Sequence, residues 1–569
     1  MHFFLVQKTF QTISMKTKNF FCNITFFAFV LLLASCTKKT NEAGRYIPND
    51  ASLVVHINGN AVSKKLPWQE IKAGAIFSQI MADTNTSDYL KSALENPDNT
   101  GIDINNDLTL FLKNDSAGGY MALQGKIKDE AKFKSFYTAL TNGTVTKSED
   151  MQFLQKEQLT VAWFKEGFIM ITDIPEIKTG NMMDSMRMDS TMAMAPKIYR
   201  NGINEAKLIH GLKQDNSLAE NEKFSNLLDD KADVHVWFNG ESFMKTYKGM
   251  AIPGMMGPLS LINLNELTEG AITTASATFN DGKILVNAKS YSGKDLSTIW
   301  KKYEAKNISK EMLERTPTKE VAAIFALNFK PEGIRELIKL LGLDGFANMG
   351  AAYIGFSLDD FIKANKGDIL LSVGDIVTDT AGKMQPSILF TAAIGDQPAF
   401  EKLIAAGKQE GNKLLGLNNN IFFSNNKEYF TIGTNKTMVD AYTTGNAKAN
   451  YPFLEKMTGS PFGAYLNFEY ILNASKSQME IDSISTASFK ASQQMWKDAY
   501  IKGGEFKDGG IVQQIEINLV DNKVNSLKQL NTYFNTMATL EKLRQVKNAK
   551  RTATTPAMVP RTDSMVAPK

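Results

Sequence analysis

The chain is 569 residues long, with 64 Lys and Arg against 60 Asp and Glu, 43% hydrophobic residues and two cysteines. A balance so near neutrality, with no long basic run interleaved with aromatics, excludes the electrostatic footprint of a nucleic-acid-binding protein. Only eight of the basic residues are Arg, the usual bidentate clamp for phosphate and carboxylate, which argues against an anion-processing enzyme.

From the N-terminus, Lys16 and Lys18 follow Met15, an apolar run extends from Phe26 to Leu33, and the run ends in Leu33-Ala34-Ser35-Cys36. A basic start followed by about 7–15 apolar residues is a secretory signal, too short for a comfortable membrane span. The final four residues match a bacterial lipobox. Residues 1–35 are therefore expected to be a lipoprotein signal peptide, with Met15 the better start, and Cys36 the site of lipidation at the head of a linker over 36–45. Thr37 in place of Asp points to the outer membrane, and Lys38-Lys39-Thr40-Asn41-Glu42, without an acidic cluster, points to its periplasm-facing side. Cys22 falls in the removed segment. The mature chain then has no thiol for a disulfide, a zinc cluster or a nucleophile. No run after Cys36 approaches the ~20 apolar residues of a membrane span.

The next elements repeat. The strand Ala51-Ser52-Leu53-Val54-Val55-His56-Ile57 ends in Asn58, and similar strands end in Asn239, Asn328 and Asn467, each followed by a helix-like segment. Downstream, 107–112 matches 368–373, and 120–125 matches 389–394. The hairpin at 160–171 matches 420–432, and 279–286 matches 506–512, the last pair carrying Asp-Gly at a hairpin tip. Period-2 hairpins mixed with amphipathic helices predict an α+β fold of two tandem homologous halves, with mainly antiparallel sheets and packed helices. The halves are expected as lobes at 46–315 and 316–545. The first carries an insertion near 175–225 with a Met-rich part at 180–196, and a disordered tail is expected over 546–569. The closing helix holds one apolar stripe through Leu527, Leu530, Phe534, Met537 and Leu540.

Tyr46-Ile47-Pro48-Asn49-Asp50-Ala51 shortly after the lipobox, the strand to Asn58 and the tandem layout resemble an uncharacterised family of Bacteroidota lipoproteins, known as a domain of unknown function. The resemblance covers most of the mature chain. It implies location and architecture, and no activity.

The residues that bear on chemistry are few. Asn58, Asn239, Asn328 and Asn467 read as helix caps, with Pro331 suited to a first helical turn. His56, His210 and His235 remain after processing and read as structural histidines. Asp103-Ile104-Asn105-Asn106-Asp107 lacks the glycine and glutamate of a calcium loop, having Leu108 and Asn114 there, and reads as a turn. Ser424-x-x-Lys427 follows Lys178-Thr179-Gly180, the reverse of the order in penicillin-recognising enzymes. Met182, Met183, Met186, Met188, Met192 and Met194 form the one unusual cluster, whose thioethers suit Cu(I). No catalytic constellation and no cofactor is expected. The reading is a non-catalytic outer-membrane lipoprotein that binds or scaffolds, attached to the membrane by its lipid, with envelope proteins or a hydrophobic ligand as partners. A periplasmic lipid- or peptide-binding lipoprotein, Cu(I) binding, and an envelope hydrolase with a carboxylate or serine site are the alternatives.

Overall fold

The computed structural model describes residues 41–554 apart from 85, 87, 116–117, 166, 176–199, 248–262, 346, 348, 350–354, 381–382 and 415–420. Cys36 and the six methionines between 182 and 194 lie outside the described residues.

The chain divides into two compact units, residues 1–49 with 209–229, and residues 50–208 with 230–569. In the first, Asn41 caps the short turn Glu42–Gly44, and Gly44 lies so close to the Leu218 backbone that a Cβ would meet it at 2.6 Å. His210 belongs to this unit, its ring stacked on Tyr46 at 5.6 Å.

Among the described residues, all strands lie in the second unit. In chain order they are β1 (Leu53–Ile57), β2 (Leu108–Asp115), β3 (Gly118–Lys126), β4 (Thr146–Ser148), β5 (Met151–Lys156), β6 (Leu159–Phe164), β7 (Gly167–Pro175), β8 (Val234–Asn239) and β9 (Ile272–Asn280). The rest are β10 (Lys283–Tyr291), β11 (Val321–Asn328), β12 (Asn365–Thr378), β13 (Met384–Ile394), β14 (Phe422–Asn425), β15 (Tyr429–Gly433), β16 (Phe462–Asn467), β17 (Trp496–Lys507) and β18 (Gly510–Leu519). They form one 18-stranded sheet in which every named pair is antiparallel. Its order from edge to edge is β4-β5-β6-β7-β3-β2-β1-β8-β9-β10, then β18-β17-β16-β11-β12-β13-β15-β14.

Read inward from β6, two strands inside one edge, and from β14 at the other edge, the order is the same: β6-β7-β3-β2-β1-β8-β9-β10 against β14-β15-β13-β12-β11-β16-β17-β18. The seam is β10 on β18, from Lys283 opposite Asn518 to Tyr291 opposite Gly510. The two runs of strands fall within the expected stretches 46–315 and 316–545, and at the seam they share one sheet. Without each other, β10 and β18 would each present an unpaired row of backbone N–H and C=O groups as a sheet edge, and their pairing satisfies both rows, so the two sequence halves join into one sheet. The hairpins that lead into the seam close on Asp281-Gly282 and Asp508-Gly509, where Gly282, Asp508 and Gly509 take φ of 64°, 47° and 79°. Such left-handed turns match the twist of the strands they join.

Two alternating faces follow from the pairing. On one, the helices Lys310–Glu314, Lys436–Thr444 and Leu454–Met457 bury Leu313, Val439, Tyr442 and Met457 against Ile324, Leu370, Leu389 and Tyr465. Tyr442 donates its hydroxyl to the Met312 carbonyl at 2.9 Å. On the other, helix Glu130–Thr141 packs Phe133 and Tyr137 on Leu123, Leu154, Val161 and Met170, and helix Gln397–Leu414 packs Phe400 on Phe430. The closing helix runs Ser526–Thr554, past the expected start of the disordered tail at 546. Its Lys547 finds Asp482 at 3.1 Å.

Candidate functional site

The face that carries helices Glu130–Thr141 and Gln397–Leu414 at its two ends holds an apolar row between them, with Gln513, Thr273 and Ser290 polar beside it. Directly paired residues run Phe423, Ile432, Phe390, Leu371, Phe325 and Ala464 across six neighbouring strands. The row continues through Ile501, Ile515, Val286, Ala277, Val234, Ile57 and Leu108. No member is polar, and none is buried. Phe325 and Leu371 are 36% and 37% exposed. Beside the row a cleft of ≈ 250 Å³ is lined by Phe325, Leu371, Ala464, Leu466, Ala499 and Ile501. On the opposite face near the seam the same strands present Ser276, Asn287, Gln514, Lys502 and Glu516, with Lys456 on Glu516 at 2.8 Å. The alternation is that of a sheet with one face in water and one in a core. Yet the core-type face is left half open.

This apolar trough has a defined chemistry. Its central strands are hydrogen-bonded on both sides, so no backbone group is free to take a further strand. With no polar side chain in the row, a peptide laid there would lose the water on its own amides and gain no partner. From β12 to β1 the row crosses roughly 38 Å at about 4.8 Å per strand. Hydrocarbon satisfies such a surface, since it asks for no hydrogen bond.

Behind the trough, on the polar side of β1 and β8, His56 and His235 are directly paired and only 6% and 3% exposed. Their Nδ1 atoms lie 3.2 Å apart. His235 Nε2 is 2.7 Å from the Asp230 carbonyl, which only accepts, so Nε2 carries a proton and donates. His56 Nε2 faces Asp107 Oδ2 at 3.4 Å. The contact falls short of a formed hydrogen bond, yet the nearness of His56 holds the Asp107 carboxyl below its ordinary range, while burial pulls the other way. Burial pushes His235 below the usual histidine value. Around the pair, Ser276 donates to Asp230, and buried Asp233 accepts from Lys65 Nζ and from the Phe279 amide, each at 2.6 Å.

Of the four asparagines, three cap helices: Asn58 accepts from the Ala61 amide, Asn239 from Ser242 and Asn467 from Tyr470, each at 3.0 Å. Asn328 does not. Two residues separate it from the helix Pro331–Leu340, whose Pro331 has no N–H to give, and the cap position falls to Lys330. Asn328 instead accepts from the Lys306 amide at 2.7 Å and donates to Asp368 at 2.9 Å. Replacing Asn58 with Ala is expected to lower stability by about 1 kcal/mol, and Asn328→Ala by roughly 2 kcal/mol, because it removes two hydrogen bonds of a buried side chain, one of them to a carboxylate; urea unfolding of the two variants checks the order. Asp103 makes the expected turn, accepting from the Asn105 amide and the Asn106 side chain at 3.1 and 2.7 Å. Among the described residues no group of three or more His, Cys, Asp or Glu is placed to hold a metal ion.

The trough is not legible in the sequence, because each strand shows only two or three apolar residues on that face, and the row exists only once the pairing is known. The histidine pair had a signal: His56 and His235 stand in matching strands.

A chain with this sheet and these helices is an α+β protein, and residues 44–449 match a domain of unknown function, DUF4836. The chain belongs to that family. No curated protein matches it. Among solved structures it is similar to three crystal forms of TP0453, each at 10% identity. Form III covers 47% of this chain and 88% of that chain with a TM-score of 0.22, form IV covers 47% and 86% with 0.24, and form I covers 48% and 89% with 0.22.

Proposed function

We propose that this protein is a lipid-anchored, periplasm-facing envelope protein that holds the acyl chains of a lipid on the apolar face of its sheet and catalyses no reaction. The carrying observation is the unbroken row from Phe423 to Leu108, apolar at every strand and buried at none. The mirrored strand order supports reading the sheet as one unit used twice, which doubles the length of trough. Among the described helices none is long and apolar enough to cross a membrane, so the anchoring role goes to Cys36.

The energetics favour two chains over one. Each buried CH₂ contributes about 0.8 kcal/mol, while association costs on the order of 4–15 kcal/mol. A single short chain is therefore held weakly, and a diacyl lipid firmly.

The test is native mass spectrometry, with organic extraction, of the protein purified in detergent-free form from its own envelope. A co-purifying diacyl lipid at near-stoichiometric amount is expected. Protein that arrives empty and also fails to enhance the fluorescence of an acyl-chain probe would remove the proposal. Palmitate labelling, lost on Cys36→Ala, is expected to report the anchor separately.

A further inference from the structure

The histidine pair sits where the fold itself does not need one. The row that contains it runs Thr109, His56, His235, Ser276 and Asn287 to the seam, and Gln514, Lys502, Gly463, Ala326 and Leu370 beyond it. Counting outward from Asn287 and Gln514, His235 and His56 stand where Gly463 and Ala326 stand in the second half. There the space is filled by apolar packing: Ala326 and Met457 are buried in one cluster with Ile308, and a Cβ on Gly463 would meet the Met457 carbonyl at 2.7 Å. The same sheet position is thus closed by a dry core in one half and by two imidazoles in the other.

Hydrogen-bond accounting fixes what the imidazoles can do. His235 must donate from Nε2 to Asp230. In its neutral form its Nδ1 is therefore the acceptor, and His56 Nδ1 is the donor across the 3.2 Å contact. That leaves His56 Nε2 as the nitrogen facing an anion, 3.4 Å from the Asp107 carboxylate and without a formed hydrogen bond. A further proton, on His235, puts an N–H on both Nδ1 atoms and turns the contact into a repulsion between two cations. Two nitrogens also fall short of the four ligands that a structural zinc takes, so the species the pair is built for is a proton.

The consequence reaches the trough through the strand pleat. Val55 and Ile57 flank His56, and Val234 and Val236 flank His235, on the opposite face; Ile57 and Val234 are members of the apolar row. We propose that the His56–His235 pair is an acid-sensitive latch on the floor of the trough, closed while the pair holds at most one extra proton, and opened at the β1–β8 contact when both rings are charged, so that acidification loosens the hold on bound acyl chains. This rests on the lipid-holding reading above.

The charged and titratable groups that face the pair come from four elements. Asp107 precedes β2, Lys126 ends β3, Asp230 and Asp233 precede β8, and Lys65 ends the helix Gly59–Lys65 and is paired to Asp233. The sign follows from burial: a histidine held below its ordinary value favours the neutral form in the folded chain, so the unfolded chain binds more protons below about pH 6.5, and stability falls as pH drops through that range.

The test uses the mature full-length protein, with vesicles of phosphatidylethanolamine and phosphatidylglycerol as donor and acceptor of a fluorescent diacyl phospholipid. Between pH 7.5 and 5.5 the wild type is expected to lose retention about tenfold and to melt several degrees lower. The double variant His56→Gln, His235→Gln is expected to keep both constant over that range. Asp107 is exposed enough for Asp107→Asn to fold, and that variant, which removes the carboxylate that stabilises a charged pair, is expected to move the acid transition to lower pH. Retention and melting that respond to pH identically in wild type and Asp107→Asn overturn the latch. A melting response that depends on the pair while no phospholipid is held at any pH overturns the coupling and the lipid reading, yet leaves the proton-sensitive contact standing.

Discussion

Ile501→Asp is expected to lower acyl-lipid retention at least a hundredfold while the protein stays folded. Ile501 lines the ≈ 250 Å³ cleft and sits in the row between Ala464 and Ile515. It is part-exposed without a ligand, so a carboxylate there stays in contact with water, and the cost to folding is on the order of the ~1 kcal/mol spread of strand preferences. Once hydrocarbon covers the position, the same carboxylate must lose its water with no partner, which costs several kcal/mol, or must take up a proton. The difference between the two states appears in binding. Side-chain alternation supplies the control, because Lys502, the next residue, points to the other face, and Lys502→Ala is expected to retain lipid as the wild type does. The measurement is retained phospholipid per protein after gel filtration, beside a circular-dichroism melt. Equal retention in Ile501→Asp and Lys502→Ala would show that the trough does not hold the lipid.

What the sequence disclosed, and what it withheld, follows the range of each interaction. Local signals were readable: the Asp-Gly turns at 281–282 and 508–509, and the caps at Asn58, Asn239 and Asn467, are decided within about four residues. The recurrence of similar segments was readable too, since it compares the chain with itself. Asn328 shows how little separates a cap from a crosslink. Two intervening residues, Phe329 and Lys330, moved the helix start out of its reach, and the side chain went to Lys306 and Asp368 instead. The meeting of β10 with β18 was not visible, because nothing in either strand names its partner 227 residues away. Without that pairing, two halves read as two lobes and the trough cannot be assembled. The histidines were legible as a matched pair in corresponding strands, but their 3.2 Å contact depends on β1 and β8 being neighbours in register, a long-range fact.

Phe133→Ala is expected to be the most damaging single truncation at the end wall of the trough, costing about 3–5 kcal/mol. Phe133 is fully buried, and its ring meets Tyr137, Trp163 and Phe168 at centroid distances of 4.6, 5.7 and 5.5 Å. Neighbouring backbone cannot relax into the space. Gly101, held at φ 74°, already lies against the Phe133 amide so closely that even a Cβ would meet it at 2.4 Å. Trp163 is further fixed by its Nε1 donating to Glu130 at 3.2 Å. The cavity would therefore persist and not collapse. The second half has its own core around Leu313, Val439 and Tyr442 on the opposite face of the sheet, with no residue in common with the Phe133 cluster. The loss should then be regional: hydrogen exchange in Phe133→Ala is expected to accelerate over 130–175 and to stay near wild type over 310–330 and 436–466. Uniform acceleration in both regions would mean that the sheet melts as one cooperative unit, and a cost below about 1 kcal/mol would mean that the helix Glu130–Thr141 does not seal this end of the sheet.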